Sequence, residues 1–143
     1  MKMVRLWHWR QKVWQSLNFL KTVPEQGEQL MEKLRAWGCD VEGALERFIG
    51  DEEFYISCLK MTTEDLGFEE LGEALREGDA QKAFDSAHTL KGVLANVGLT
   101  PMFEVIVRIV EPLRAGQMEN LMPIYEELLQ ANQYLKGLLE EME

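Results

Sequence analysis

Residues 80–98 read Ala80-Gln81-Lys82-Ala83-Phe84-Asp85-Ser86-Ala87-His88-Thr89-Leu90-Lys91-Gly92-Val93-Leu94-Ala95-Asn96-Val97-Gly98. Ala80, Ala83, Ala87, Leu90, Leu94 and Val97 recur at spacings of three and four, a continuous apolar stripe that predicts a core-facing helix. Gly98 is placed to be its C′ residue. With about 100° between successive residues, His88 lies roughly 130° from the centre of that stripe and should face solvent. Gln81, Phe84, Asp85, Lys91, Gly92 and Ala95 fall within about 60° of it by the same count. Val93 lies about 140° from His88, away from the stripe, and is expected to matter little.

Working outward, the flanking segments repeat the pattern. Thr100 is the expected cap of the following helix, with Pro101 at its first position, where the missing N–H costs nothing. Met102, Ile106, Ile109 and Leu113 would form its buried face, and Pro112 should bend it near Gly116. A last helix is expected from about Asn120, with Leu121, Tyr125, Leu128, Leu135, Leu139 and Met142 on one stripe interrupted by Asn132. Upstream, a helix over roughly 28–37 should stop at Gly38. Asp40 should cap a short helix from Val41 to Ile49, and Asp51 a longer one reaching about Glu77. The apolar register shifts near Thr62-Thr63, which allows one long irregular helix or two joined by a kink, and one helix is the preferred reading. Residues 3–21 hold Met3, Leu6, Trp7, Val13, Trp14, Leu17 and Leu20 on one stripe, ended by Val23-Pro24. The predicted fold is all-α: an antiparallel four-helix bundle over 28–143 with additional short N-terminal helices, preceded by a basic, tryptophan-rich extension over 1–27.

Composition agrees. The 143 residues are 46% apolar and 28% charged, as in an ordinary folded domain, and no alternating β-type run competes with the helix formers. The net charge of −10 is unevenly divided: residues 1–23 carry five basic groups and no acid, so the remainder carries −15. A body that acidic repels phosphate backbones and anionic lipid, which disfavours nucleic acid as a partner and favours proteins. Cys39 and Cys58 lack metal-ligand spacing. No apolar run reaches membrane-spanning length and no secretory signal is evident, so a cytoplasmic protein is expected. A membrane-surface role for residues 1–21 is conceivable because tryptophans with Lys and Arg suit a lipid interface, but packing against the bundle or a second copy is preferred.

The chemistry concentrates around His88. A neutral exposed imidazole is a nucleophile near pH 7 and can accept a phosphoryl group on nitrogen. Lys91, one turn on, would attract the phosphate oxygens as a point charge. Gly92 costs about 1 kcal/mol relative to alanine inside a helix, which points to something that must approach the backbone there. Any one of these features alone is a commonplace of helix surfaces; their convergence on one face is what carries weight. The other histidine, His8, has no such neighbourhood.

The run Ala87-His88-Thr89-Leu90-Lys91-Gly92, followed by Asn96-Val97-Gly98, resembles the signature of histidine-containing phosphotransfer (HPt) domains. Arg47-Phe48-Ile49-Gly50-Asp51, Ala74-Leu75 with Gly78-Asp79, and Glu111 extend the resemblance over about residues 30–143. Val93, Val110 and Pro112 depart from the family pattern. The resemblance implies a phosphorelay carrier: His88 takes a phosphoryl group from the aspartate of a response-regulator or hybrid-kinase receiver domain and passes it to another receiver, assisted by Lys91. Gly92, Phe84, Asp85, Ala95 and Gln81 would form the docking face. No cofactor or metal is expected on this chain, because magnesium would come with the receiver. No ATP-dependent kinase activity is expected either, since the sequence holds no phosphate-binding glycine loop. The alternative is a helical adaptor that binds receivers or other signalling proteins without carrying phosphate.

Overall fold

The helix that carries His88, expected from the stripe above, spans Ala80–Asn96 and is anchored at both ends in the computed structural model, which describes residues 25–142. Seven helices occur among these residues, and no strand. They are α1 (25–37), α2 (Val41–Arg47), α3 (Glu52–Thr63), α4 (Gly67–Glu77), α5 (Ala80–Asn96), α6 (Thr100–Arg114) and α7 (Met122–Glu140). Helix α5 packs between α4 and α6, and α7 closes the bundle against α6, α3 and α4. The short connections α4–α5, α5–α6 and α6–α7 make those neighbours antiparallel, as the four-helix reading requires, while α3 and α4 follow one another along α7. Of the tryptophan-rich extension, residues 1–24 lie outside the described residues, and residues 25–27 form part of α1.

The predicted stripes form the core, apart from Ala80 and Met142 at their ends, which are half-buried. Ala83, Ala87, Leu90, Leu94 and Val97 are buried, as are Met102, Ile106, Ile109 and Leu113 of α6 and Leu121, Tyr125, Leu128, Leu135 and Leu139 of the last segment. Alanines at 83 and 87 let α5 sit close to its neighbours, while the larger leucines fill the layers between them. Helices α1 and α2 cover one end through Leu30, Met31, Leu34, Val41 and Ala44. An ion pair between Lys33 and Glu141 and an edge-on contact of the Trp37 and Tyr134 rings, 4.8 Å between centres, tie α1 to α7.

Two expectations require correction. The segment from Asp51 to Glu77 is two helices, interrupted at residues 64–66. The Asp65 carboxylate accepts a hydrogen bond from the Gly67 N–H at 2.7 Å, an Asx-type turn that competes with helix continuation. Thr62 and Thr63 turn their hydroxyls back onto the carbonyls of Cys58 and Lys60, and buried Asn132 of α7 donates to the freed Thr63 carbonyl at 3.0 Å. The register shift near Thr62-Thr63 marks this break. The cap of α6 is Leu99 rather than Thr100, which is the first helical residue, so Pro101 occupies the second position. Asp40 and Asp51 cap α2 and α3 as expected, each accepting a backbone N–H.

Both ends of α5 are pinned. At the start, Gly78 takes a left-handed conformation and the Asp79 carboxylate accepts the Lys82 N–H. At the end, four successive carbonyls find partners. Arg47 donates to those of Ala95 and Asn96 at 3.1 and 2.9 Å, the buried Tyr55 hydroxyl donates to Val97 at 2.7 Å, and the Asp40 N–H donates to Gly98 at 2.9 Å. Carbonyls at a helix C-terminus lack the regular intrahelical partner, although that of Ala95 also accepts the Gly98 N–H, and a guanidinium there complements the helix dipole. The middle of α5 is thereby held as a rigid rail for His88.

Candidate phosphotransfer site on helix α5

His88 is exposed at the centre of α5, and so are Gln81, Asp85, Gly92 and Ala95, as helical arithmetic anticipates. Gln81 and Asp85 are joined by a side-chain hydrogen bond of 3.0 Å. Phe84 and Lys91 are half-buried and lean toward α6. The structure therefore brings all seven residues onto one face and divides them into an open strip and a packed flank.

Gly92 occupies the open strip. A Cβ built there would meet nothing within 4 Å, so no close helix packing accounts for the glycine. Gly98 differs. It has φ +68°, and a Cβ would lie 2.4 Å from the Asp40 carbonyl oxygen. That glycine belongs to the fold.

The packed flank consists of aromatic rings and cations. The Phe84 ring stacks on the His88 imidazole, with centres 5.5 Å apart and planes inclined by 17°. The Arg114 guanidinium of α6 sits 5.4 Å from the Phe84 ring centre, and the Lys91 ammonium 5.9 Å from that of Phe103, also on α6. Contacts of these kinds contribute about 0.5–1 kcal/mol each at exposed sites. Lys91 thus stands one turn from His88 with its ammonium drawn over α6.

On the other side of the strip lies a groove of about 420 Å³ lined by Phe48, Phe54, Cys58, Met61, Val93 and Asn96, among others. Phe54 is 54% exposed and Met61 71% exposed, two large apolar side chains left open on one groove. Val93, expected to be of little consequence, forms part of this wall. Phe54 and Met61 were missed in the sequence because the core stripe of α3 runs through Tyr55 and Leu59. The signal was a second apolar row at 54, 58 and 61, about 100° around the same helix from the core stripe. Of the two cysteines, Cys39 is buried, which pushes its thiol up to about 12, while Cys58 is half-buried in the groove.

Among the described residues no group of three or more His, Cys, Asp or Glu side chains could hold a metal ion, and no helix is long and apolar enough to cross a membrane. What the arrangement offers is a rigidly mounted imidazole, a cation one turn away and a bare backbone strip beside it. The model of the Hpt domain family matches residues 56–143. The chain belongs to the Hpt domain family. The role of this Hpt bundle is, in general terms, histidine phosphotransfer within a phosphorelay. Its fold is similar to the HPT domain of an Hpt sensor hybrid histidine kinase from Shewanella, with a TM-score of 0.60, 20% identity, and coverage of 72% of this chain and 91% of that one. No curated protein matches it.

Proposed function

We propose that His88 is the phospho-acceptor and that the chain shuttles a phosphoryl group between receiver domains. The observation that carries this reading is the combination of an exposed His88 at the centre of a doubly anchored helix with open space around Gly92 one turn on. In the forward step the neutral imidazole nitrogen forms a P–N bond as the P–O bond of an aspartyl phosphate breaks, returning a carboxylate to the receiver. The reverse step delivers the group to a second receiver. A phosphoryl transition state spreads charge over its oxygens, so catalysis rests on positioning and electrostatic stabilisation. The magnesium ion and most of the neutralising groups come from the receiver. This chain supplies the nucleophile, Lys91 as a nearby point charge, and a docking face. Gly92 lets the receiver surface descend onto the strip of Gln81, Asp85 and Ala95. The groove between α3 and α5 offers an apolar seat for the same partner.

Incubation with a panel of phosphorylated receiver domains tests the proposal. At least one receiver should lose its phosphate to this chain as an acid-labile adduct. ATP with magnesium alone should leave the chain unlabelled. Tight binding of receivers with no transfer would support the adaptor reading instead, and self-labelling from ATP would contradict a pure carrier.

A further inference from the structure

We propose that Phe84 is a positioning residue that sets the orientation of the His88 imidazole, with Arg114 and Glu111 as its clamp; this rests on His88 being the phospho-acceptor. An exposed histidine on a helix ordinarily samples several staggered rotamers and a broad second torsion. Here one turn of α5 brings the Phe84 ring to 5.5 Å from the imidazole with planes only 17° apart, a near-parallel offset stack. Phe84 is itself half-buried and held by α6, where the Arg114 guanidinium sits 5.4 Å from its centre. The Arg114 Nε is in turn 3.5 Å from the Glu111 carboxylate, an i, i+3 pair on the same helix. Glu111, Arg114, Phe84 and His88 form a relay of contacts from the α6 surface to the nucleophile. Its effect is to fix which edge of the imidazole faces the open strip over Gly92.

The consequence concerns a docked partner. A nitrogen that must meet a phosphorus atom in line gains from a fixed ring, since near-attack geometry tolerates little displacement. A small phosphodonor, free to approach from any side, gains nothing. Although the sequence placed Phe84 in the docking face, its packing against α6 removes it from the open strip, so it should govern the limiting rate of transfer within the complex rather than the affinity of the complex.

The full chain is compared with its Phe84→Leu and Phe84→Tyr variants, after circular dichroism confirms equal helicity. In transfer from a cognate phosphorylated receiver, Phe84→Leu should lower the limiting rate constant about five- to tenfold and change the half-saturating receiver concentration less than about twofold. Phe84→Tyr should restore the rate. Phosphorylation by phosphoramidate, a donor without a docking surface, should proceed alike in all three. A raised half-saturating concentration with an intact limiting rate would overturn the proposal and make Phe84 a contact for the receiver. An independent reading needs no phosphate. The carbon-bound imidazole protons of His88 should show an upfield ring-current shift in the NMR spectrum, lost in Phe84→Leu and kept in Phe84→Tyr. Shifts insensitive to both substitutions would overturn the stack even if no receiver transfers phosphate. A wild-type chain that no receiver phosphorylates, yet shows the shift, would instead refute the acceptor assignment alone.

Discussion

Gly92 and Gly98 sit six residues apart on or just past the same helix, and their environments are opposite. Gly98 has a left-handed backbone and no room for a side chain: a Cβ would press on the Asp40 carbonyl oxygen at 2.4 Å and on the Ala44 side chain at 3.1 Å. Gly92 has ordinary helical backbone and nothing within 4 Å of a Cβ. The fold requires the first. It gains nothing from the second, which costs helix stability. A glycine that the fold does not need, beside the exposed His88, is what the proposed docking of a receiver would call for.

The contrast can be broken or sharpened by substitution. The largest effect is expected at Gly98→Ala, which adds left-handed strain to a clash with backbone, on the order of 3 kcal/mol in all. Thermal denaturation should show a fall in Tm of roughly 10 °C or more; a Tm unchanged from wild type would mean that the α5–α2 junction yields easily. Next comes Gly92→Gln. Its melting temperature should stay within a few degrees of wild type, while receiver affinity weakens on the order of tenfold or more, about 1.4 kcal/mol, through intrusion of the side chain. Lost stability with normal transfer by the folded fraction would make Gly92 a packing glycine. Gly92→Ala should stabilise the domain by about 0.5–1 kcal/mol in urea denaturation, because only the unfavourable chain entropy of glycine is removed. Destabilisation would contradict the open space seen there.

Ile49 sharpens the comparison from the other direction. Its φ is 57°, in the left-handed region where a β-branched residue is strained, and its side chain is 93% exposed in the turn between α2 and α3. Ile49→Asn should stabilise by about 0.5 kcal/mol, since asparagine tolerates this conformation better. Equal or lower stability in urea would show that the isoleucine makes compensating contacts.

How much of this was legible in the sequence follows from how local each cause is. The stripes of α5, α6 and α7 and the capping carboxylates Asp40 and Asp51 were readable because periodicity and capping act within one or two turns. The face around His88 was readable for the same reason. The break between α3 and α4 was not, because the Asp65 turn is weak by itself and is secured by Asn132, 69 residues from the Thr63 carbonyl that it binds. Arg47 was noticed only within a motif; its task of capping α5 joins residues 48 and 49 positions apart. The division of the His88 face into a packed flank and a groove likewise depends on which neighbours α5 has, which periodicity cannot specify. The two chemical groups the sequence marked, His88 and Lys91, therefore emerged with their geometry undetermined: the stack on Phe84 and the lean toward Phe103 are tertiary facts.

The central claim is that His88 alone carries the phosphoryl group, and its most direct test compares wild type with His88→Gln. Because the side chain is exposed, the variant should keep its helicity and Tm. Both proteins are incubated with the same phosphorylated receiver and the transferred phosphate is measured as acid-labile, alkali-stable label. Wild type should approach one phosphate per chain and the variant none, while both still bind the receiver. Comparable labelling of the folded His88→Gln variant would contradict the assignment.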